Sequence, residues 1–182
     1  MTHDDPTPAD DAALSDVTGI LTPAQLEQIV AGYDEAFMNA AAESSIIGRY
    51  APSAGLVRFV GDRYYRAPYS FPPREREMVI LTTLSARSPG GLFLAIHVYW
   101  ALALETAPDR IANTLLLAGS YTGLPDFTAS ITSMETVLLV LKRLAETEPI
   151  GPVRSRDVIP ALAAAWRSVP PMVSLRQRAS GT

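Results

Sequence analysis

Residues 92–104, LFLAIHVYWALAL, constrain the fold more than any other part of this chain. They are apolar on nearly every side, and His97 is the one strongly polar side chain before Glu105. A helix of that kind has no face to give to water and must be enclosed by other elements. The run is too short to cross a bilayer, so the enclosure has to come from protein. Helical spacing dominates the flanking sequence, and no stretch alternates convincingly with the period of two that marks a half-buried strand. The expectation is an all-α fold, a single-domain bundle of about six to eight helices.

The helix starts can be placed from local chemistry. Thr22-Pro23-Ala24-Gln25 combines a capping box with proline at the first helical position, followed by an apolar face of Leu26, Ile29, Val30, Tyr33 and Phe37. A second strong helix follows Pro72-Pro73 and runs from about residue 74 to 87, with Glu75 and Glu77 in its first turn complementing the helix dipole. The apolar helix comes next, after Ser88-Pro89-Gly90-Gly91. A fourth is expected at Thr106-Ala107-Pro108-Asp109, a cap and an early proline, ending near Tyr121-Thr122-Gly123. Leu124-Pro125-Asp126 launches a fifth, in which Phe127, Ile131, Met134, Leu138 and Leu141 share a face. Asp157 is expected to cap a last helix that turns Val158, Leu162 and Trp166 inward. Between residues 44 and 71 glycines and prolines interrupt the pattern, leaving one short helix around 56–65. Residues 1–20 read as a disordered acidic leader, 21–169 as the domain, and 170–182 as a flexible tail.

The chain has no cysteine, which excludes disulfides, zinc–thiolate sites and thiol nucleophiles. With 182 residues and a net charge of −4 it is a mildly acidic chain, a poor match for a nucleic-acid protein. No signal peptide or membrane segment is recognised, so a cytoplasmic location is expected. The basic residues are fourteen arginines and Lys142, and six of the arginines lie between Arg49 and Arg76. Arginine forks suit carboxylates and phosphates, which points to a small anionic ligand, although solvated surface arginines fit the same composition.

Two histidines are present, and His3 lies in the leader, so His97 is the imidazole the fold itself possesses. In an apolar helix its ring nitrogens need partners. It is either a satisfied core histidine or a group that moves protons. Positions 74, 77, 81 and 84 share one helical stripe, which aims Glu77 toward the core with Arg74 one turn before it. Glu75 and Arg76 point elsewhere and read as solvated. An antiparallel packing of this helix on the next would bring Glu77 toward His97, making an acid/base pair or a structural hydrogen bond between helices. Tyr121, beside Gly123 and Pro125, stands at a sharp corner where it closes a pocket or simply packs. Tyr64, Tyr65, Tyr69 and Phe71 form a group that walls a pocket, an interface or the core.

The motifs PPREREMVILTTLSA, AIHVYWALAL and PDRIANTLLLAGSYTGLPDFTASI, in this order and spacing, resemble the carboxymuconolactone decarboxylase family within the alkyl hydroperoxidase D-like superfamily. The resemblance spans residues 72–131. It implies an all-α fold of the alkyl hydroperoxidase D-like type and homo-oligomers such as dimers, trimers or hexamers. It also implies that His97 and Glu77 occupy the positions of a proton relay. The superfamily's peroxidase branch carries a cysteine pair where this chain has Gly90 to Phe93, so thiol peroxidase chemistry is excluded. The decarboxylase branch needs no cofactor and acts on an unsaturated lactone bearing carboxylates. Two departures, Glu105 in place of a glycine and the bulky Tyr99 and Trp100 beside His97, suggest a reshaped pocket. The expected function is thus a cofactor-independent lyase or isomerase acting on a small carboxylated or cyclic unsaturated metabolite. His97 and Glu77 would be catalytic, and Arg74, Tyr121, Trp100 and Tyr65 would bind substrate, with no metal. The alternatives are a tailoring isomerase or cyclase on a larger natural product and a non-catalytic ligand-binding or oligomeric scaffold.

Overall fold

The computed structural model describes residues 15–41, 55, 71–147 and 151–168. Among these the regular structure is entirely helical: α1 (Pro23–Ala31), α2 (Glu35–Ala41), α3 (Pro73–Arg87), α4 (Leu92–Ala103), α5 (Pro108–Thr122), α6 (Leu124–Thr147) and α7 (Ser155–Ser168). The single-domain helical bundle expected from sequence is what forms. Helix α4 is its axis, packed against α1, α3, α5, α6 and α7. Its buried residues run without a break from His97 to Ala103, as an all-round apolar helix requires. The short helix expected around 56–65, Tyr65 with its aromatic neighbours, most of the arginine-rich stretch and the tail from 170 lie outside the described residues.

Three boundaries differ from expectation, each for a local reason. Residues 15–18 form a helical turn, Val17 and Ile20 lean on the core, and Leu21 is buried, so the domain begins before residue 21. The rest of the expected leader, residues 1–14, lies outside the described residues. The apolar face drawn from Leu26 to Phe37 belongs to two helices. Thr22 does cap the first through the reciprocal box with Gln25, but α1 stops at Gly32, and Asp34 then caps α2 by accepting from the Phe37 N–H at 2.9 Å. Asp157 lies in the first turn of α7 without being its cap. The start of that helix is held by Ser155, a buried residue whose hydroxyl accepts from the Asp34 N–H at 2.9 Å.

Gly32 breaks the helix because the chain passes too close for a side chain. A Cβ placed there would lie 2.0 Å from the Val153 carbonyl oxygen, while Val153 and Ser155 donate their N–H groups to Gln28 and Gly32. The obstacle is backbone pinned by hydrogen bonds, which cannot rotate aside. Gly32→Ala is therefore expected to lower stability by about 1–3 kcal/mol, read from the midpoint of a urea titration. An unchanged midpoint would mean that this crossing is loose.

The end of α4 is closed by a Schellman arrangement. Thr106 donates back to Ala101 and Glu105 to Leu102, and Glu105 adopts φ 61°, a left-handed backbone that favours glycine. This accounts physically for a glycine preference at the position. The side chain that stands there instead is exposed and pairs with Arg74. Glu105→Gly is expected to raise stability by roughly 0.5–1 kcal/mol, since relief of the left-handed strain outweighs an exposed ion pair. A drop in melting temperature would reverse that ranking. Ala107 precedes α5, so Thr106 does not serve as its cap, and the Thr106 hydroxyl is buried without a hydrogen-bond partner among the described residues.

Gly123, at φ 110°, makes the corner between α5 and α6, as its place beside Pro125 predicted. Helix α6 is long and apolar enough to cross a membrane by length and composition. Its inward residues Met134, Val137, Leu138 and Leu141 are fully buried in the bundle core. Trp166 of α7 donates its indole N–H to the Gly90 carbonyl at 2.8 Å, tying the last helix to the loop between α3 and α4.

Candidate functional site: a buried glutamate–histidine pair

Helix α3 buries Glu77, Leu81 and Ser85, residues four apart on one stripe. The short Ser-Pro-Gly-Gly connection sends α4 back antiparallel along that stripe. Glu77 and His97 meet as a result, with His97 Nδ1 2.7 Å from Glu77 Oε2. Glu77 is fully buried and the His97 side chain is 7% exposed. With the carboxylate ionised, Nδ1 carries the proton and donates it to Oε2, which leaves Nε2 as the basic nitrogen. Among the described residues Nε2 has no hydrogen-bond partner.

The other contacts fix both members in place. The Arg76 Nε–H reaches Glu77 Oε1 at 3.5 Å, a long charge-assisted contact, and the Arg76 side chain is only 12% exposed. Trp100, one turn along α4, stacks on the His97 ring with centroids 5.7 Å apart and planes 9° from parallel. Its indole N–H donates to the Tyr33 hydroxyl. Burial holds the Tyr33 phenol well above its ordinary range, against the lowering effect of the Trp100 bond, and the nearby charges of Glu77 and Arg76 act in opposite directions on it. Tyr33 therefore stays a neutral phenol at the edge of the pair. Tyr99, the residue before Trp100, shares a hydrogen bond of 2.7 Å with Ser155, and burial pushes its phenol up to about 12.

The structure redistributes several expected roles. Arg74 is not paired with Glu77. It sits at the mouth of α3, 47% exposed, where its Nε donates to the Leu104 carbonyl at 2.7 Å and its Nη2 to Glu105 Oε2 at 2.6 Å. It caps the C-terminus of α4. Arg74 also lines a surface cleft of about 600 Å³ with Pro72, Pro73, Leu104, Glu105 and Arg110, and His97 is not among the residues of that cleft. Arg76, expected in solvent, is the cation beside the pair. Tyr121 is 87% exposed at the end of α5 and lines no described pocket with His97. Trp100 is 1% exposed and acts on the imidazole rather than lining open space.

Sequence reasoning missed Tyr33 and Arg76 as members of this cluster. Tyr33 had been placed on an apolar face, and nothing local signals that it meets a tryptophan 67 positions away. Compared with protein-family models, curated proteins and solved structures, the chain matches none of them.

Proposed function

We propose that this chain is an acid/base enzyme of the carboxymuconolactone decarboxylase type, a lyase or isomerase in which Glu77 and His97 move a proton on a small cyclic or unsaturated carboxylated metabolite. The observation that carries the reading is the 2.7 Å Nδ1–Oε2 contact with Nε2 left without a partner among the described residues. A carboxylate that holds Nδ1–H stabilises the imidazolium formed when Nε2 accepts a proton. In the proposed reaction Nε2 takes a proton from carbon next to a carbonyl or carboxyl group. As an isomerase it then returns that proton to another carbon of the same system; as a lyase it instead takes its proton from the substrate carboxyl group or solvent, the C–CO₂ bond breaks with its electron pair left on carbon, and the imidazolium protonates that carbon. Arg76 supplies positive charge near the developing anion, the part first assigned to Arg74. Trp100 keeps the ring in one orientation, so that its lone pair has a fixed direction.

A second reading is favoured by one observation. Burial of both partners suits a structural hydrogen bond between α3 and α4 in a protein that binds or assembles without chemistry. The two readings separate in a turnover screen. Small unsaturated lactones and cyclic carboxylic acids are offered to wild type, His97→Ala and Glu77→Gln, and substrate loss is followed. Turnover by wild type that falls in both variants supports the enzyme. Full turnover in both variants overturns the assignment of the pair.

A further inference from the structure

A single hydrogen bond does not orient an imidazole. The 2.7 Å contact with Glu77 fixes where Nδ1 lies but leaves the ring free to rock about that nitrogen, and the direction of the Nε2 lone pair rocks with it. The missing restraint is a plane. Trp100 supplies one from the next turn of α4, its ring 9° from parallel with the imidazole. An indole can itself turn about its χ2 torsion, where the energy wells are broad. It holds the histidine in one plane only if something holds the indole.

That hold is the bond from the Trp100 indole N–H to the Tyr33 hydroxyl, and it comes from outside the hairpin of α3 and α4. Tyr33 stands at the corner between α1 and α2, directly after the break at Gly32. One residue of α7 fixes its backbone from both sides. The Gly32 carbonyl accepts from the Ser155 N–H at 3.2 Å, and the Asp34 N–H donates to the Ser155 hydroxyl at 2.9 Å. The same hydroxyl shares the 2.7 Å bond with Tyr99, the neighbour of Trp100 in sequence. Fully buried Ser155 thus anchors both ends of the Tyr33–Trp100 bond, one through the backbone and the other through Tyr99. Such a closed circuit of buried hydrogen bonds rigidifies the groups it joins.

We infer that Tyr33 is a positioning residue of the Glu77–His97 pair: its hydroxyl fixes the plane of the Trp100 indole, and that plane fixes the direction in which Nε2 points. The consequence for rate rests on the acid/base reading above, whereas the orientation of the ring rests on geometry alone. The hydroxyl is the part that counts, because a phenylalanine body fills the same space but cannot accept the indole N–H. The backbone crossing at Gly32 then serves the site, since it is what brings Ser155 to either side of Tyr33.

The test is nuclear magnetic resonance of the full chain carrying isotope-labelled histidine, on wild type, Tyr33→Phe, Trp100→Phe and the double variant. Of the two histidines, His3 is the one whose signal survives in His97→Ala. Ring protons stacked on an indole are displaced by its ring current, so the His97 signals report the stack whether or not a substrate is known. Tyr33→Phe is expected to move the His97 ring resonances. It should also lower kcat for a confirmed substrate by about 3–10-fold at nearly constant KM, the worth of one hydrogen bond. A tyrosine that merely packs would leave both unchanged. Trp100→Phe keeps a ring but has no N–H, so adding Tyr33→Phe to it should change neither readout further. Circular dichroism melting confirms that each variant is folded. Two results overturn the inference: His97 resonances that stay in place in Tyr33→Phe, and a Tyr33→Phe effect as large with Trp100→Phe as without it. If wild type turns over none of the compounds offered, the enzyme reading fails, and the His97 resonances still decide the role of Tyr33.

Discussion

Turnover of a confirmed substrate is expected to fall by about 10²–10⁴-fold when His97 is replaced by alanine, the usual contribution of a well-placed general base. The loss should fall on kcat, because the imidazole acts in the transition state and the rest of the binding surface is left in place. Glu77→Gln keeps an acceptor for Nδ1–H and removes the charge that stabilises the imidazolium. Its deficit should be real but smaller than that of His97→Ala. Arg76→Gln should lower kcat more than it raises KM, because the guanidinium is assigned to the developing anion, and a reversed split would make it a ground-state binder of an anionic substrate.

The fold should be far more sensitive to Glu77 than to any surface charge. Glu77→Ala removes a fully buried carboxylate from between a buried imidazole and a nearly buried guanidinium. What remains is a cavity beside the imidazole and a guanidinium that has lost its contact with Glu77. Removing one member of such a cluster costs about 3–5 kcal/mol, enough to unfold a marginal domain. Replacing both ends of the hydrogen bond, Glu77→Leu with His97→Leu, should recover most of that loss, since no polar group of the pair is then stranded. Chemical denaturation of the single and double variants measures the difference. A double variant as unstable as Glu77→Ala would show that Arg76, and not the bond to His97, is what Glu77 holds in place. The same double variant should be catalytically dead although stable, which separates the two roles of the pair.

Much of this site could be read from the chain because two helices joined by a four-residue loop leave little freedom. Once Leu81 faces the core, Glu77 one turn earlier faces it too, and antiparallel return brings the middle of α4 opposite. Arg74 and Arg76 show where that reasoning stops. At a helix mouth the angular position of the Cα matters less than the reach of a long side chain. Arg74 extends along the axis to the bare carbonyl at the end of α4, while Arg76 folds inward beside its neighbour. Helical spacing carries no information about either choice. The break at Gly32 was hidden for another reason, since its cause is the Val153 backbone, more than a hundred positions away. Tyr33 on Trp100 is invisible in the same way. Local chemistry determined where helices begin, as with Thr22 and Gly123, and distant backbone determined where α1 had to end.

The bond from Trp166 to Gly90 carries a temporal meaning. The pair Glu77 and His97 lies within one helical hairpin and is made from contacts close in sequence, the kind that form early. The loop at the base of that hairpin is clamped by Trp166 of α7, and the start of α2 is joined to α7 through Asp34 and Ser155, 121 positions apart. The latch on this hairpin can therefore close only once α7 has been made and packed, so contacts distant in sequence complete what local ones begin.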